Sequence, residues 1–441
     1  MKAKLFFILC ALFIGTQTAQ AQTWTWLIGS PNSADITATF NTADSTLTIR
    51  GTGNMQNWSG GLHIPPWTGQ PIRTVIIEQG VTRIGDFAFA GSTRLTSVTI
   101  PSSVTTIGAV AFRNATSLAK ITIPYGVTRI GSSAFEGCTG LTEIVIPNSV
   151  TAILSSAFSG CTSLTEIVIP NSVITIGAGA FLNCISLTSI TIGAGVTSIG
   201  ASAFAGCTSL TAINVNANNT AFMSENGVLF NKNKTTLIQF PSAKQITTYT
   251  IPNSVTSIGD GAFRNSGLTS VTIGESVTSI ERMAFDGSRS LVEITIPNSV
   301  TSIGEWAFTG TGLTDIYVFW TTPPNISSGV FGSVFSSVWN ANLHIPKGTL
   351  STYQNAPVWQ NFNLVERAET SVDIVENDSV NLFTTANGIF VDAKETVQIT
   401  VYNLLGQKMY QSVVFGSREI ALPAGIYIVN VNGQSQKLIV R

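Results

Sequence analysis

The sequence predicts a repeat solenoid of short β-strands with a period of 23 residues, closed at each end by a β cap and followed by a small C-terminal β-sandwich domain. An Ala-Phe pair recurs at intervals of 23 residues and, after a gap of 59, resumes for three more copies. A fixed period in this range is the signature of stacked structural repeats. The nine phenylalanines are Phe89, Phe112, Phe135, Phe158, Phe181, Phe204, Phe263, Phe285 and Phe308.

Each repeat contains two extended pieces. The Leu-x-x-Ile-x-Ile-Pro segment, seen at residues 141–147, alternates like a short strand and ends at a proline. The Val-Thr-x-Ile-Gly segment, seen at residues 127–131, predicts a second strand, and the Ala-Phe segment after it predicts a helical or irregular turn. Because one unit cannot bury its own apolar side chains, neighbouring units must stack at the strand spacing of about 4.8 Å.

The tryptophans mark the two ends of this stack, and none lies between Trp67 and Trp306. An open stack has two apolar ends that must be covered. We therefore expect an N-terminal β cap at residues 22–71, a solenoid at 72–320 and a C-terminal cap at 321–366. A platform that stacks on sugar rings is the alternative explanation, and it fits the placement less well. The eight residues are Trp24, Trp26, Trp58, Trp67, Trp306, Trp320, Trp339 and Trp359.

The gap in the series contains an insertion, at about residues 214–250. Two apolar runs, at 227–230 and 235–240, flank the polar segment 231–234 and predict a β-hairpin. Either the hairpin projects as a binding element, or it is an elongated rung that re-registers the stack.

The two ends of the chain differ from the repeats. Lys2, Lys4, an apolar run at 5–14 and Ala-Gln-Ala at 19–21 predict a signal peptide over residues 1–21. The apolar run is half the length that a membrane-spanning helix needs. Residues 367–378 lack the repeat pattern and predict a linker, and residues 379–441 alternate like the strands of a small β-sandwich.

The composition disfavours several classes of function. Charged residues make up 10% of the chain, and 22 Lys+Arg nearly cancel 23 Asp+Glu, for a net charge of −1. A chain without a basic field is a poor ligand for nucleic acid or for an anionic membrane. The two histidines, His63 and His344, are predicted to lie in opposite caps, too far apart to share a metal or a proton. We predict no enzyme activity, no metal site and no cofactor.

Four cysteines form a column with a spacing of 23 residues, three positions after a phenylalanine. Other rungs place serine, alanine or threonine there, so the column favours a small side chain. Stacked rungs place the thiols in a line, whereas zinc needs four ligands that converge on one point. A buried thiol ladder is favoured over strained disulfides between neighbours. The residues are Cys138, Cys161, Cys184 and Cys207.

Two columns of strand positions point away from the predicted core and are candidates for recognition. They form an extended sheet face with little charge, which suits a protein or polysaccharide better than a small molecule. The alternative is that these residues only keep the sheet soluble. The first column is Lys120, Glu143, Glu166 and Ser189, and the second is Thr122, Val145, Val168 and Thr191.

The repeat unit resembles the BspA-like leucine-rich-repeat family. That pattern reads Ile-Pro-x-x-Val-x-x-Ile-Gly-x-x-Ala-Phe-x-x-Cys-x-x-Leu, and residues 146–164 match it except that Leu154 replaces the glycine. The resemblance covers roughly residues 40–366. It implies a leucine-rich-repeat solenoid and a role in adhesion to host proteins, other cells or surface polymers, and it fixes no binding residue.

The C-terminal segment resembles the type A C-terminal sorting domain of the type IX secretion system. The resemblance rests on residues 401–406, 425–429 and 437–441, with Gly406, Gly425, Tyr427 and Lys437 as motif residues. It implies that a secretion translocon recognises this domain and carries the chain across the outer membrane.

These observations predict a non-catalytic secreted or cell-surface binding protein. We expect an adhesin-like protein that recognises a host or microbial surface protein, without a transmembrane segment in the mature chain. The alternative is a glycan-binding surface module for polysaccharide capture.

Overall fold

The computed structural model describes residues 22–61, 63–332, 337–367, 380–385, 388–403, 406–423 and 425–440. The predicted signal peptide and all but Arg367 of the predicted linker lie outside these residues. The described chain forms a β-solenoid of about 13 turns, followed by a C-terminal β domain.

The N-terminal cap is an antiparallel sheet that continues into the parallel solenoid. β1 (Thr23–Leu27), β3 (Ile36–Asn41) and β4 (Thr46–Gly51) pair antiparallel, and β4 then pairs parallel with the first repeat strand. Alternate side chains of β3 are buried, as expected for a strand with one solvated face. The cap also contains β2 (Gly29–Ser30), a 3-10 helix at Ser33–Asp35 and β5 (Gly53–Met55).

Each regular repeat, or rung, contributes a strand of three or four residues to a front sheet and a shorter strand to a back sheet. Where neighbouring front strands are hydrogen-bonded, pairing is parallel between residues 23 positions apart, so that Ile121 stands opposite Ile144. The front ladder is interrupted after the strand that ends at Thr99 and after the strand that ends at Val145. The front strands are β6 (Thr74–Ile77), β8 (Ser97–Thr99), β10 (Lys120–Thr122), β12 (Glu143–Val145), β14 (Glu166–Ile169), β16 (Ser189–Ile192) and β18 (Ala212–Val215). The back strands are β7 (Val81–Ile84), β9 (Thr106–Ile107), β11 (Arg129–Ile130), β13 (Ala152–Ile153), β15 (Thr175–Ile176) and β17 (Ser198–Ile199).

The Ala-Phe segment is a series of tight turns and not a helix. Its backbone N–H groups alternate between two kinds of partner: Phe135 donates to Ala157 O of the next rung at 2.8 Å, whereas Ala134 closes a turn on Gly131 O at 3.1 Å. The residue two positions after the phenylalanine is left-handed in all nine rungs, with φ of 67° at Gly137 and 57° at Asn183. It is always glycine or asparagine, the residues that adopt this conformation at least cost.

The phenylalanine rings form two stacked ladders. Neighbouring ring centroids lie 5.2–5.8 Å apart from Phe89 to Phe204. A second ladder runs from Phe240 to Phe331, with spacings of 4.9–5.4 Å. The ladders belong to two separate apolar cores, and we call the corresponding parts the first and second halves of the solenoid.

The insertion is part of the stack and joins the two halves. β19 (Phe222–Glu225), β20 (Val228–Asn231) and β21 (Thr236–Gln239) form an antiparallel meander, and β21 pairs parallel with the next back strand. Phe230 and Leu237 are fully buried. The predicted hairpin is therefore present as β20 and β21, and it forms an elongated rung that does not project.

The second half repeats the arrangement of the first. Its front strands are β22 (Thr248–Thr250), β24 (Ser270–Thr272), β26 (Glu293–Ile296) and β28 (Asp315–Val318), and its back strands are β23 (Ser257–Ile258), β25 (Ser279–Ile280) and β27 (Ser302–Ile303).

The predicted C-terminal cap contains two further front strands. β29 (Asn342–Ile345) pairs parallel with β28, and β30 (Asn363–Glu366) pairs parallel with β29, so the stack continues to residue 366. Trp320, Tyr353 and Trp359 are buried against its end. A 3-10 helix at Ser337–Asn340 precedes β29, and α1 (Leu350–Gln354) and a 3-10 helix at Trp359–Asn361 lie between β29 and β30.

Arg367 belongs to this end of the solenoid and not to a free linker. Its Nη2 donates to Val318 O at 2.8 Å, and its guanidinium lies 4.1 Å from the ring centroid of Phe319. Burial lowers its pKa from the ordinary arginine value. The sequence prediction places this residue in the linker because it lacks the repeat pattern.

The C-terminal domain is a five-stranded antiparallel sheet folded over as a sandwich. Its strands are β31 (Val380–Thr385), β32 (Gly388–Asn403), β33 (Lys408–Ala421), β34 (Gly425–Val431) and β35 (Gln434–Val440). The β32–β33 ladder is irregular between Ala393 and Val397. β31 pairs with the first part of β32 and β34 with its last part. The predicted solenoid of period 23 and the β-sandwich are thus confirmed.

Candidate binding surface

The front sheet of the first half presents two columns of outward side chains, as the alternation of a strand requires. We call the outward side chains of β6 to β18 the first-half face. Strand pairing puts Lys120 opposite Glu143, and Val168 opposite Thr191. The face includes all eight candidate residues, which are exposed except for the half-buried Ser189: Lys120, Glu143, Glu166, Ser189, Thr122, Val145, Val168 and Thr191.

Two valines form an apolar centre on this face. Val145 and Val168 lie on neighbouring rungs and are 69% and 63% exposed. The same column holds threonine at Thr99, Thr122 and Thr191, with Ile76 and Asn214 at its two ends. Single exposed apolar residues are ordinary, but a threonine column interrupted by adjacent valines gives the face a local patch without hydroxyl groups.

The charges on the first-half face are sparse and solvated. Lys120 Nζ donates to Glu143 Oε2 at 2.8 Å, and both side chains are exposed. This hydrogen bond raises the pKa of Lys120 and lowers the pKa of Glu143, and the attraction between the two charges adds to both effects. Exposed pairs contribute little to stability. Both groups can therefore be replaced without unfolding the sheet.

The corresponding surface of the second half lies against the C-terminal domain. We call the outward side chains of β22 to β30, with the loop residues beside them, the second-half face. Ser417 Oγ donates to Glu275 Oε1 at 3.3 Å, and the ring centroids of Phe319 and Phe390 are 6.4 Å apart. On this face Thr272 and Thr295 are half-buried, whereas Thr250 on β22 is exposed. The threonines at the same strand position on the first-half face are all exposed: Thr99, Thr122 and Thr191.

The cysteine column is buried inside the first half, and its thiols are free. Each Sγ donates to the carbonyl of the phenylalanine in the preceding rung, with Cys138 bonding to Phe112 O at 3.1 Å. In the second half, Ser288 Oγ makes the same bond to Phe263 O at 2.7 Å. Burial raises the pKa of Cys138 to about 12, which suppresses thiolate chemistry. The residues are Cys138, Cys161, Cys184 and Cys207.

The described part of the chain contains no group of three or more side chains that could hold a metal ion. His63 lies in the N-terminal cap, whereas His344 lies on β29 with Nε2 2.8 Å from Asp315 Oδ1. Burial opposes ionisation of Asp315, but hydrogen bonds, first of all with His344, hold its pKa below the ordinary value. This pair is a packed contact at the end of the front sheet, where His344 also stacks on Tyr317.

The predicted sorting motif is spread over the turns and last strands of the C-terminal domain. Gly406 has a φ of 75° in the turn after β32, and Gly425 begins β34. Tyr427 OH donates to Pro423 O at 2.8 Å, and Lys437 lies on β35. Leu404 and Leu405 of the motif lie outside the described residues.

The repeats match a known family. A model described as BspA type leucine rich repeat region matches six copies, at residues 67–168, 128–247 and 238–356. The chain belongs to the BspA-type leucine-rich-repeat family. A second model, of a domain of unknown function called DUF6383, matches residues 369–440.

Solved structures share the fold of this BspA-type chain. A leucine-rich repeat protein from Eubacterium ventriosum is 26% identical with a TM-score of 0.58, over 78% of this chain and 85% of its own. A leucine rich cell surface protein from Faecalibacterium prausnitzii is 28% identical with a TM-score of 0.51, over 77% of this chain and 94% of its own. No curated protein matches the chain. Within the described ranges, no helix has the length and apolar character needed to cross a membrane.

Sequence reasoning missed the contact between the C-terminal domain and the second-half face. The repeats carry no mark of it, because Thr272 and Thr295 continue the pattern of the first half. Two substitutions could have drawn attention to this region. Tyr317 occupies an outward position of β28, and Phe319 follows directly after that strand. The first half has smaller side chains at these positions.

Proposed function

We propose that this protein is a non-catalytic, exported binding protein that uses its first-half face to hold a protein on the surface of a host or of another microbe. The carrying observation is the exposed pair Val145 and Val168, flanked in the same column by Thr122 and Thr191. An apolar centre with a polar rim is the common anatomy of a protein-binding patch. The rim is formed by Lys120, Glu143 and the flanking threonines.

The test is binding to a panel of immobilised extracellular-matrix and cell-surface proteins, measured by biolayer interferometry. Replacing both valines by lysine (V145K/V168K) should weaken binding at least about tenfold, because lysines add desolvation cost at the centre of the patch. Val292→Lys is the matched control, since Val292 is also exposed but lies on the second half. An equal loss of binding in both variants, or no loss in either, would contradict the assignment of protein binding to the first-half face.

The alternative function, glycan capture, is supported by the two exposed tryptophans, while Trp26 and Trp339 are half-buried against the two cores. Trp58, Trp67, Trp320 and Trp359 are buried, so they seal the stack and cannot stack on sugars. Trp24 and Trp306 are 47% and 38% exposed. Sugar binding on a glycan array that disappears in W24A or W306A and persists in V145K/V168K would favour this alternative.

We also propose that the chain reaches the cell surface through a cleaved signal peptide and a type IX sorting function of its C-terminal domain. The support is the pattern of residues 1–21 and the motif at residues 401–406, 425–429 and 437–441. A chain truncated at about residue 370 should accumulate in the periplasm, whereas the full chain should be accessible to protease added to whole cells. Equal surface exposure of both chains would contradict the sorting assignment.

A further inference from the structure

The C-terminal domain meets the second-half face through an apolar part and a carboxyl-rich part. The apolar part is the pair Phe319 and Phe390, with Arg367 on the ring of Phe319. The carboxyl-rich part has two groups of acidic side chains, one around Glu275 and the other around Glu293. The two parts respond differently to protons, because only the second contains groups that titrate in acid.

The first acidic group is centred on Glu275, in the loop after β24. Ser417 Oγ on β33 donates to its Oε1 at 3.3 Å, and the same hydroxyl lies 2.9 Å from Asp392 Oδ1 on β32. Burial raises the pKa of Glu275, the charge of Asp392 raises it further, and the bond from Ser417 opposes both. Two carboxyl groups from different domains thus share one hydroxyl.

The second acidic group is centred on Glu293, on β26. Burial raises its pKa, and the charges of Glu419 on β33 and of Asp315 on β28 raise it further, while His344 on β29 opposes them. Glu419 belongs to the C-terminal domain, so its repulsion of Glu293 exists only while the domains are in contact. The cationic and phenolic groups facing this cluster are Arg367, His344 and Tyr317.

We propose that this contact is a reversible, proton-dependent dock: acid holds the C-terminal domain on the second-half face, and neutral pH weakens the hold. In the docked state, Glu275 and Glu293 of the solenoid lie near two acidic side chains of the C-terminal domain, Asp392 and Glu419. At neutral pH, the four negative charges oppose docking and the pair Phe319 and Phe390 favours it. In acid, the repulsion disappears and the apolar contact remains.

The direction of the pH dependence follows from the linkage between docking and proton binding. The charges of Asp392 and Glu419, which the docked domain brings, raise the pKa of Glu275 and of Glu293, respectively. The docked state therefore binds more protons than the undocked state. The docked state is therefore favoured as the pH falls through the raised values, and the penalty returns as the pH rises above them. Each unit by which docking raises a carboxyl pKa changes the docking equilibrium by about tenfold.

The other charged groups do not reverse this direction. His344 lowers the pKa of Glu293 from within the solenoid, so this effect is present with or without the docked domain. Asp315 is held ionised by hydrogen bonds from within the solenoid, so its protonation state is set largely without the C-terminal domain. Tyr317, with its pKa raised to about 12 by burial, stays neutral throughout.

Docking determines which surface of the solenoid a partner protein can reach, a consequence that rests on the proposed function. While the C-terminal domain is docked, it covers the part of the second-half face around Glu275 and Phe319, and a partner protein has full access only to the first-half face. Undocking uncovers a second front-sheet surface of the same strand geometry. The dock itself can be measured without any partner, so its failure would leave the proposed function untouched.

The experiment is hydroxyl-radical footprinting of the chain from residue 22 to 441, at pH 7.5 and at pH 5.0, with modification of Tyr317 and Phe319 measured by mass spectrometry. Tyr125 is the internal reference, since it is 76% exposed on the first half. We expect modification of Tyr317 and Phe319 to fall by about twofold or more on acidification, with Tyr125 unchanged.

Replacing the two facing carboxyl groups by amides (E293Q/E419Q) should give low modification at both pH values. Glu136→Gln is the matched control, because Glu136 pairs with Arg113 on the first half and should leave the pH response intact. E275Q provides an independent variant for the other acidic group and should lower modification at pH 7.5. A constant modification of Tyr317 across pH in the unaltered chain, or a full pH response retained in E293Q/E419Q, would overturn the proposal.

Discussion

Removing one ring from the middle of the first ladder should destabilise the first half and leave the second half nearly unchanged. Phe158 is fully buried, and its ring centroid lies 5.4 Å from that of Phe135 and 5.3 Å from that of Phe181. Replacing a buried phenylalanine by alanine costs about 3–5 kcal/mol. Two ring contacts of about 0.5–1.5 kcal/mol each place F158A toward the upper end of that range.

Hydrogen exchange under native conditions, read by mass spectrometry, resolves the two halves separately. Peptides from residues 74–215 should lose about 3–5 kcal/mol of protection free energy in F158A, and peptides from 248–318 less than about 1 kcal/mol, because a stacked repeat contacts only its neighbours. V145A, on the same rung but exposed, is the control and should change protection by less than about 0.5 kcal/mol. An equal loss in both halves would refute the division into two cores, and a loss below about 1 kcal/mol everywhere would refute the ladder as a source of stability.

Three further changes test the inner columns of the repeat. C161S should cost less than about 1 kcal/mol in urea denaturation, since a hydroxyl can donate to the same carbonyl, as Ser288 does; a loss above about 3 kcal/mol would contradict this role. In the native protein at pH 8, the four cysteines should not react with a thiol reagent, because all four are buried. All four should react after denaturation without reductant; fewer than four would indicate disulfides. Gly160 has a φ of 69°, and a Cβ added there would meet no atom closer than the backbone N of Gly137 at 3.7 Å. Because the backbone conformation and not space is the constraint, G160N should be tolerated, while G160V should lose about 1–2 kcal/mol or more of unfolding free energy. Equal effects of the two substitutions would show that φ is not the constraint.

The regular part of the fold could be predicted because it is repeated. Any one copy of the unit is ambiguous, but nine copies in phase fix the period, the inward residues and the outward columns together. The eight candidate residues consequently lie where the alternation places them, and Val145 and Val168 are exposed although both are apolar. The column of glycine and asparagine after the phenylalanine is equally visible in the sequence, since it occurs in all nine rungs, but its left-handed backbone becomes clear only from the dihedral angles.

The remaining features depend on contacts between distant parts of the chain. Ser417 and Glu275 are 142 residues apart, and no local pattern relates them. Arg367 lacks the repeat pattern, yet its guanidinium packs on Phe319 at the end of the stack. The insertion carries a hairpin signal, but whether that hairpin projects or joins the stack depends on how its neighbours bury Phe230.

The elongated rung explains how one repeat can produce two surfaces with different roles. Identical rungs in an unbroken stack would give one face and one cooperative core. Instead, β19 to β21 separate two apolar cores and two phenylalanine ladders. The second half can therefore acquire Tyr317, Phe319 and an acidic cluster that contact the C-terminal domain without changing how the first half packs. A long solenoid interrupted once can dock its own domain on one half and keep the other half open to a partner.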